Sequence, residues 1–339
     1  MSELKPVGAL FPIMDHYLDE LREKYSGTVY EIDPYAEVFQ LRDNVWAIFM
    51  PCTHTVGDNW VYLISGPEKA IVIDNGYGIG NLKGLCELLT GQEVLCALTH
   101  NHGDHTGGSV QWNEVYCHPY CADIVESRFD DYEAWWKAFN HVGEPQHRAY
   151  FMQEDVIPFK PFSCIRLPNH GTIRLGGDYE LEMIHMGGHA PGLCVFLDKK
   201  SRTLYSGDAL FACGMPGSGL GIGLHSAEPD MLHGEYMGIV YYHECLKALC
   251  ERIDEFDLVM PGHGFVNAPK EVATDTLKAT EAVMANPWSY DKLIERHTGK
   301  TYIKFGGTAD VMYVPENVIN QLEKAGLPVP EKNKSKEAL

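Results

Sequence analysis

The chain has 339 residues, of which 45% are hydrophobic, and a formal net charge of -20 at pH 7. This length and composition suffice for a buried core in one large or two small domains, whereas the acidic charge disfavours nucleic acids and other polyanionic partners. No apolar run approaches the roughly 20 residues that span a bilayer, and the N-terminus shows no leader pattern, so we expect a cytoplasmic protein without a membrane partner.

The first part of the chain alternates short apolar strands with a helix. Residues 1–44 are predicted to be an N-terminal extension whose structure the pattern does not define. Apolar runs bounded by polar residues then predict strands, with one amphipathic helix before the last of them. The strands are Val45–Met50, Trp60–Ile64, Ala70–Asp74 and Glu93–Thr99, and the helix is Leu82–Leu89.

The last of these strands leads into the run Thr99-His-Asn-His-Gly-Asp-His105, which contains three imidazoles and one carboxylate. His100, His102 and His105 offer nitrogen and Asp104 offers anionic oxygen, a mixture that suits zinc and also serves iron or manganese. Residues so close in sequence point in different directions, so one ion seldom uses all four. The run therefore favours two metal ions, placed beyond the carboxyl end of a strand, where α/β proteins build their sites.

A segment rich in aromatic residues follows, from position 119 to about 160. It begins with a predicted helix at Pro119–Arg128, and we interpret it as a helical insertion. Aromatic clusters most often bury area, so we expect packing in a core or between copies of the chain, with a wall of a substrate pocket as the alternative. The aromatic residues are Trp135, Trp136, Phe139, Tyr150, Phe151 and Phe159.

Three later strands each end in a turn that contains glycine and is followed by a metal-ligand type of side chain. Glycine permits positive φ and lets the backbone approach an ion closely. Because four strand ends in one chain share this design, we expect them to form one site. The three strands and their side chains are Tyr179–His185 with His189, Arg202–Ser206 with Asp208, and Leu258–Met260 with His263.

The region between Asp208 and His263 contains a glycine-rich stretch at Pro216–Gly223. Its spacing differs from that of phosphate-binding loops, so we predict a flexible lip beside the metals, followed by a helix over Ala227–Arg252. Residues 269–339 are predicted to form a helical C-terminal extension and a solvated tail. The helical patterns in this extension cover Lys270–Ala285 and Trp288–Arg296.

The ordered motifs Thr-His-x-His-x-Asp-His, Gly-His, Ser-Gly-Asp and Pro-Gly-His-Gly resemble those of the metallo-β-lactamase-fold hydrolase superfamily. The resemblance runs from about Val45 to Phe265. It implies an α/β fold, a four-layer αβ/βα sandwich, with a catalytic domain over residues 45–268. Within the superfamily, Gly207–Phe211 and the glycine-rich loop after it are similar to the glyoxalase II and lactonase-like branch.

Position by position, the resemblance also implies the roles of individual residues. Asp104 would orient the nucleophile and Asp208 would supply negative charge shared by two cations, which makes both of them catalytic candidates. His54 lies in a segment similar to a hairpin that overhangs the site in relatives; His54 and His225 are the candidate substrate contacts. The implied metal ligands are His100, His102 and His189 for one ion, Asp104, His105 and His263 for the other, and Asp208 as the bridge.

Two adjacent divalent ions can hold a bridging hydroxide near neutral pH, because coordination lowers the pKa of water toward ~7. The sequence therefore predicts a binuclear metal-dependent hydrolase, with zinc favoured over iron or manganese. Its substrate is expected to be a small-molecule thioester, lactone or ester. A single-iron oxygenase of the persulfide-dioxygenase type, a phosphodiesterase or nuclease of the same superfamily, and a non-catalytic binding protein remain alternatives, and the formation of a homo-oligomer is left open.

Overall fold

The computed structural model describes residues 12–50, 59–139, 153–211, 220–223, 231–296 and 299–330. Its first sheet contains eight strands in chain order; the first five pair antiparallel and the rest pair parallel. The strands predicted between residues 45 and 99 are confirmed here. The bounds are β1 (Thr28–Tyr30), β2 (Asp33–Arg42), β3 (Val45–Met50), β4 (Asn59–Ser65), β5 (Ala70–Ile73), β6 (Val94–Ala97), β7 (Glu114–Cys117) and β8 (Ser163–Arg166).

The remaining strands form two further sheets. The second sheet has the order β15-β14-β12-β11-β10-β9, and the third has the order β13-β18-β17-β16. All three strands predicted to carry His189, Asp208 and His263 are present in the second sheet. The bounds are β9 (Thr172–Gly176), β10 (Tyr179–His185), β11 (Cys194–Asp198), β12 (Thr203–Gly207), β13 (Leu220–Gly223), β14 (Leu258–Pro261), β15 (Ala268–Pro269), β16 (Lys292–Arg296), β17 (Gly299–Phe305) and β18 (Asp310–Tyr313).

Most of the longer helices cover the outer faces of the first two sheets. None of the described helices has the length and apolarity needed to cross a lipid bilayer. The bounds are α1 (Pro12–Tyr25), α2 (Leu82–Thr90), α3 (Gly103–Thr106), α4 (Pro119–Glu126), α5 (Tyr132–Phe139), α6 (Ile239–Cys250), α7 (Glu271–Ala285) and α8 (Pro315–Lys324).

Three apolar cores show the four layers of the predicted sandwich. The middle core lies between the two large sheets and contains Trp60 and Tyr62 from the first sheet with Phe196 and Tyr205 from the second. A second core joins the first sheet to α2, α4 and α5, and a third joins the second sheet to α6, α7 and α8. Each large side chain that is fully buried in this way contributes roughly 1.5–3 kcal/mol. The order helix, sheet, sheet, helix confirms the predicted αβ/βα sandwich.

Both ends of the chain contain strands that the sequence pattern did not show. Residues 28–42, in the predicted N-terminal extension, add β1 and β2 to the first sheet. The C-terminal extension contains the predicted helix α7 together with α8, but the helix predicted over residues 288–296 is wrong. Lys292–Arg296 is instead strand β16, because it pairs along its length with β17. The domain boundaries at residues 45 and 268 stay predictions.

Two segments near Asp208 also differ from expectation. Helix α6 begins at Ile239, later than the predicted start at residue 227, because Gly238 adopts a φ of 99° before it. The part of the predicted lip that the structure describes, Leu220–Gly223, is strand β13, since it pairs with β18. The rest of that lip, and the aromatic residues Tyr150 and Phe151, lie outside the described residues.

A pair of histidines stacks where β7 and β10 end. The rings of His118 and His185 lie with centroids 4.0 Å apart and planes 7° apart. His118 caps α4 by accepting a hydrogen bond from the Tyr120 backbone N–H, and His185 Nε2 donates to the Pro191 carbonyl oxygen. Burial, together with His185 and His233, lowers the pKa of His118 to about 3. Both rings are therefore packed in their neutral form.

We expect His118→Asn to make the protein less sensitive to acid, because asparagine keeps a capping oxygen but cannot titrate. A histidine in the unfolded chain has a pKa of ~6.5. As the pH falls, position 118 therefore binds a proton in the unfolded chain but not in the folded one. Wild-type stability should therefore fall more steeply between pH 6.5 and 4, by at most ~1.4 kcal/mol per pH unit for this one proton. Urea unfolding of both proteins with a chelator present measures this difference, and parallel pH profiles would contradict it.

Candidate metal centre

The structure brings all seven predicted ligand side chains together at one edge of the sandwich. His100 and His102 follow β6, and Asp104 and His105 lie in the short helix α3. The other three follow β10, β12 and β14, so both large sheets contribute. The donor atoms form two groups, each with its atoms within 4.8 Å of one another: His100, His102, His189 and Asp208 in one, and Asp104, His105 and His263 in the other.

The carboxylate of Asp208 lies between the two groups. Its Oδ2 atom is 3.3 Å from His189 Nε2 and 3.8 Å from His100 Nε2. Its Oδ1 atom is 3.2 Å from His105 Nε2 and 3.6 Å from His263 Nε2. One oxygen therefore faces each group, which is the arrangement that a bridging carboxylate requires.

Three of these donor atoms are buried without a hydrogen-bond partner: His100 Nε2, His105 Nε2 and Asp208 Oδ1. Buried polar atoms are nearly always paired, so unpaired nitrogen and oxygen atoms that converge in this way need another partner. Imidazole nitrogen and carboxylate oxygen are the donors that zinc and similar divalent ions accept. The residues present therefore fit two divalent cations, one in each group.

The electrostatics favour cation binding. Burial lowers the pKa of His100, and burial together with His189 lowers the pKa of His102 to about 3, so both stay neutral as ligands must. Burial opposes ionisation of Asp104 and Asp208, but neighbouring imidazoles, His105 foremost, outweigh it and hold both pKa values well below the usual range. His100 and His102 are thus neutral beside ionised carboxylates.

The second group is electrostatically different from the first. Burial opposes protonation of His105 and His263, yet the carboxylates of Asp104 and Asp208 raise the pKa of both imidazoles. Protons on these rings balance the two buried carboxylates when no cation does so. Metal binding at this group must therefore release protons.

Asp74 supports the centre from beneath, and the sequence analysis did not identify it. Its Oδ1 atom accepts a hydrogen bond from the Thr99 backbone N–H, and its Oδ2 atom accepts one from Thr99 Oγ1, each at 2.7 Å. His105 Nδ1 donates to Oδ2 at 2.7 Å, which fixes the ring with Nε2 toward the centre. The available signal was its position directly after strand β5, the same position that marks the predicted ligands.

Close packing explains why glycine follows the strands that carry the site. A Cβ atom added at Gly262 would lie 2.7 Å from His105 Cε1 and 2.8 Å from Asp208 Oδ1. Gly207 has a φ of 47°, and a Cβ atom there would lie 2.4 Å from Thr99 Oγ1. Side chains at either position would displace the residues that hold the site together.

The centre opens toward solvent on one side. His102, His189 and His263 are partly exposed, whereas His100, His105 and both aspartates are buried. The two predicted substrate contacts, His54 and His225, lie outside the described residues, so they stay predictions.

We expect Asp74→Asn to weaken metal binding about 10- to 100-fold. Both carboxylate oxygens of Asp74 accept hydrogen bonds, and in asparagine an NH₂ group that can only donate would replace one of them. The matched control is Asp198→Asn, since Asp198 is equally buried and accepts hydrogen bonds from Tyr179 and Ser201 instead of supporting a ligand. Competition with a chromophoric chelator gives the metal affinity of each variant. Equal affinities in the wild type and Asp74→Asn would show that Asp74 does not position His105.

Comparison with known proteins places this geometry in a family. The model of the metallo-beta-lactamase superfamily matches residues 54–241, a segment that contains every predicted ligand except His263. The acyl-coenzyme A thioesterase MBLAC2 of Gallus gallus is 30% identical over 161 residues, which are 44% of this chain and 57% of that protein. The hydroxyacylglutathione hydrolase GloC of Haemophilus influenzae is 23% identical over 203 residues, 60% of this chain and 84% of that protein.

Solved structures agree on the fold. A metallo-beta-lactamase from Pontibacter korlensis superposes with a TM-score of 0.52 at 19% identity and covers 73% of this chain and 99% of its own. A metallo-beta-lactamase family protein from Thermus thermophilus gives a TM-score of 0.53 at 18% identity, with 85% and 95% covered. The chain spans a little over half the length of the thioesterases that it matches. With the family model covering more than half of it, the chain belongs to the metallo-beta-lactamase superfamily.

Proposed function

We propose that this protein is a binuclear metal-dependent hydrolase that cleaves small-molecule thioesters, with lactones and oxygen esters as the neighbouring substrate classes. The observation that carries the proposal is the Asp208 carboxylate, which directs one oxygen toward each of two complete donor groups. Both ions are proposed to be divalent, with zinc favoured by the imidazole-rich donor set. Membership of the metallo-beta-lactamase superfamily, which contains hydrolases, supports the proposed activity.

The residues of the chain have distinct proposed roles. When bound, two divalent ions lower the pKa of water toward ~7 and polarise a carbonyl oxygen. Asp208 supplies negative charge between the two cation positions, and Asp104 accepts a hydrogen bond from the attacking water. Asp74 holds His105 in the tautomer that binds metal. Because His102, His189 and His263 are partly exposed, a substrate carbonyl is proposed to approach from their side.

Cys194, a described cysteine beside the site, is poorly placed to act as a nucleophile. Cys194 lies beside the site, but its Sγ–H donates to the Thr99 carbonyl oxygen and the side chain is fully buried. Burial raises its pKa well above the usual value. Since the thiolate is the reactive form, Cys194 is a packing residue, and water remains the proposed nucleophile.

The names of two relatives favour thioesters over the other substrates. One relative is an acyl-coenzyme A thioesterase and the other is a hydroxyacylglutathione hydrolase. A single-iron oxygenase would leave the group of Asp104, His105 and His263 without a use, which speaks against that alternative. A nuclease would have to bind a polyanion on a chain with a net charge of -20.

Each chain is expected to bind two metal ions after loading with zinc and dialysis. His102→Ala should remove occupancy mainly from the first group and His263→Ala mainly from the second, so each variant should keep about one ion because the other donor group stays intact. His170→Ala is the control, since His170 is exposed and paired with Glu182. Elemental analysis of the three variants and the wild type gives the stoichiometry, and a wild type that never exceeds one ion would overturn the binuclear proposal.

Asp208→Asn should lower kcat for thioester hydrolysis at least about a hundredfold, because it removes the charge placed between two cations while keeping the side-chain volume. Asp198→Asn, a substitution of the same type away from the centre, should keep turnover near normal. The substrates are butyryl-coenzyme A, S-lactoylglutathione, a γ-lactone, a nitrophenyl ester and a nitrophenyl phosphodiester. Thioesters should give the highest kcat/KM; a higher value for the phosphodiester, or near-normal turnover by Asp208→Asn, would refute the proposal.

A further inference from the structure

Arg128 lies directly beside the ligand loop, the segment His100–His102 that carries two of the predicted metal ligands. Its Nη1 atom donates to the carbonyl oxygen of Asn101 at 2.6 Å, and Asn101 stands between His100 and His102 in the chain. The guanidinium carbon lies 4.8 Å from the centroid of the Trp135 ring. These two contacts fix the position of the guanidinium beside the loop that contains Asn101.

Arg128 has no carboxylate partner in the part of the chain that the structure describes. Arg22, Arg166, Arg202 and Arg252 each have a carboxylate oxygen within 2.9 Å. Only Nη1 of Arg128 makes a hydrogen bond to a described residue, so no described residue bonds the edge formed by Nε and Nη2. Burial lowers the pKa of this guanidinium, consistent with a charge that has lost water without gaining a counter-ion.

An unpaired arginine here is informative because acidic residues outnumber basic ones by 47 to 27. Arg42 also lacks a carboxylate partner among the described residues, but its guanidinium donates to the Asn267 side chain. The backbone of Arg42 pairs with Val45 at the start of β3. The opposite end of β3 is the one near the metal centre. There Met50 pairs with Asn59, which donates a hydrogen bond to the Asp104 carbonyl oxygen. Of these two guanidinium groups, that of Arg128 is the one bonded to the loop that carries metal ligands.

The surroundings of Arg128 add one polar group and an apolar wall. Asn101 is 6% exposed, and its Oδ1 atom is buried without a hydrogen-bond partner. The Trp135 and Phe139 rings stack with centroids 5.8 Å apart, and Phe139 lies against Gly103 so closely that a Cβ atom there would approach it to 2.6 Å. The Arg128 guanidinium, the Asn101 amide and two aromatic rings therefore all lie at the ligand loop.

We propose that Arg128 binds an oxyanion of the substrate, a carboxylate or a phosphate, and so determines specificity. The inference rests on the proposed hydrolase function. A planar guanidinium offers paired N–H donors that match either oxyanion, and such charge-assisted bonds are stronger than neutral ones. Trp135 and Phe139 cover the apolar part of the substrate.

Three thioesters separate the two sources of the oxyanion. Succinyl-N-acetylcysteamine carries a carboxylate on the acyl part, butyryl-coenzyme A carries phosphates on the thiol part, and butyryl-N-acetylcysteamine carries neither. Arg128→Gln should raise KM for one anionic substrate about 10- to 100-fold, the loss typical of a charge-assisted hydrogen bond. It should change kcat/KM for the neutral substrate less than threefold, and Arg128→Lys should recover part of the loss.

Arg166→Gln is the matched control, because Arg166 is a nearby surface arginine paired with Asp123 and Glu126. It should leave all three substrates unaffected. The anionic substrate that loses affinity in Arg128→Gln identifies the source as carboxylate or phosphate. An equal loss on all three substrates would show that Arg128 only supports the Asn101 loop, and no loss on any would show no role; either result overturns the proposal.

A binding measurement distinguishes this proposal from the proposed thioesterase activity. Calorimetry gives the Kd of succinate and of free coenzyme A for the zinc-loaded wild type and Arg128→Gln. Weaker binding of one ligand by the variant supports the oxyanion site even if the wild type hydrolyses no thioester, a result that would overturn only the thioesterase proposal. Unchanged Kd values for both ligands overturn the oxyanion site whatever the activity.

Discussion

Backbone hydrogen bonds between the two large sheets hold the candidate centre together. The Cys194 N–H donates to the Thr99 carbonyl oxygen at 2.9 Å, and the Trp60 N–H donates to the Gly262 carbonyl oxygen at 2.7 Å. These bonds tie β11 to the loop after β6, and β4 to the loop after β14. Since each sheet supplies only part of the donor atoms, neither group can form unless the sheets pack in this register.

The metal centre was predictable from sequence because its signal is local. The ligands lie in short segments that follow apolar strands, and the carboxyl ends of neighbouring strands meet at one edge. Asp74 has the same position but was missed, because a single aspartate after a strand is more often a turn residue. Strand β16 was missed because five residues do not define a period, and its conformation depends on pairing with Gly299–Phe305.

Arg128 could not have been identified from the sequence at all. In the chain it is separated from Asn101 by 27 positions, and nothing in its neighbours marks it as different from the paired arginines. Because β7 lies parallel beside β6, the segment after β7, which contains α4 and Arg128, begins at the same sheet edge as the loop after β6. Its distinguishing property, that no described carboxylate lies against it, exists only in three dimensions.

Helix α5 buries one pair of the aromatic side chains and leaves a second pair for the proposed substrate contact. Tyr132 and Trp136 are buried four residues apart, and they donate hydrogen bonds to the carbonyl oxygens of Gly107 and Tyr77. Trp135 and Phe139, also four residues apart, form a neighbouring stripe that stacks beside Arg128. The first pair anchors the helix to the core. The second pair can then face the ligand loop at a fixed distance, which a binding wall requires.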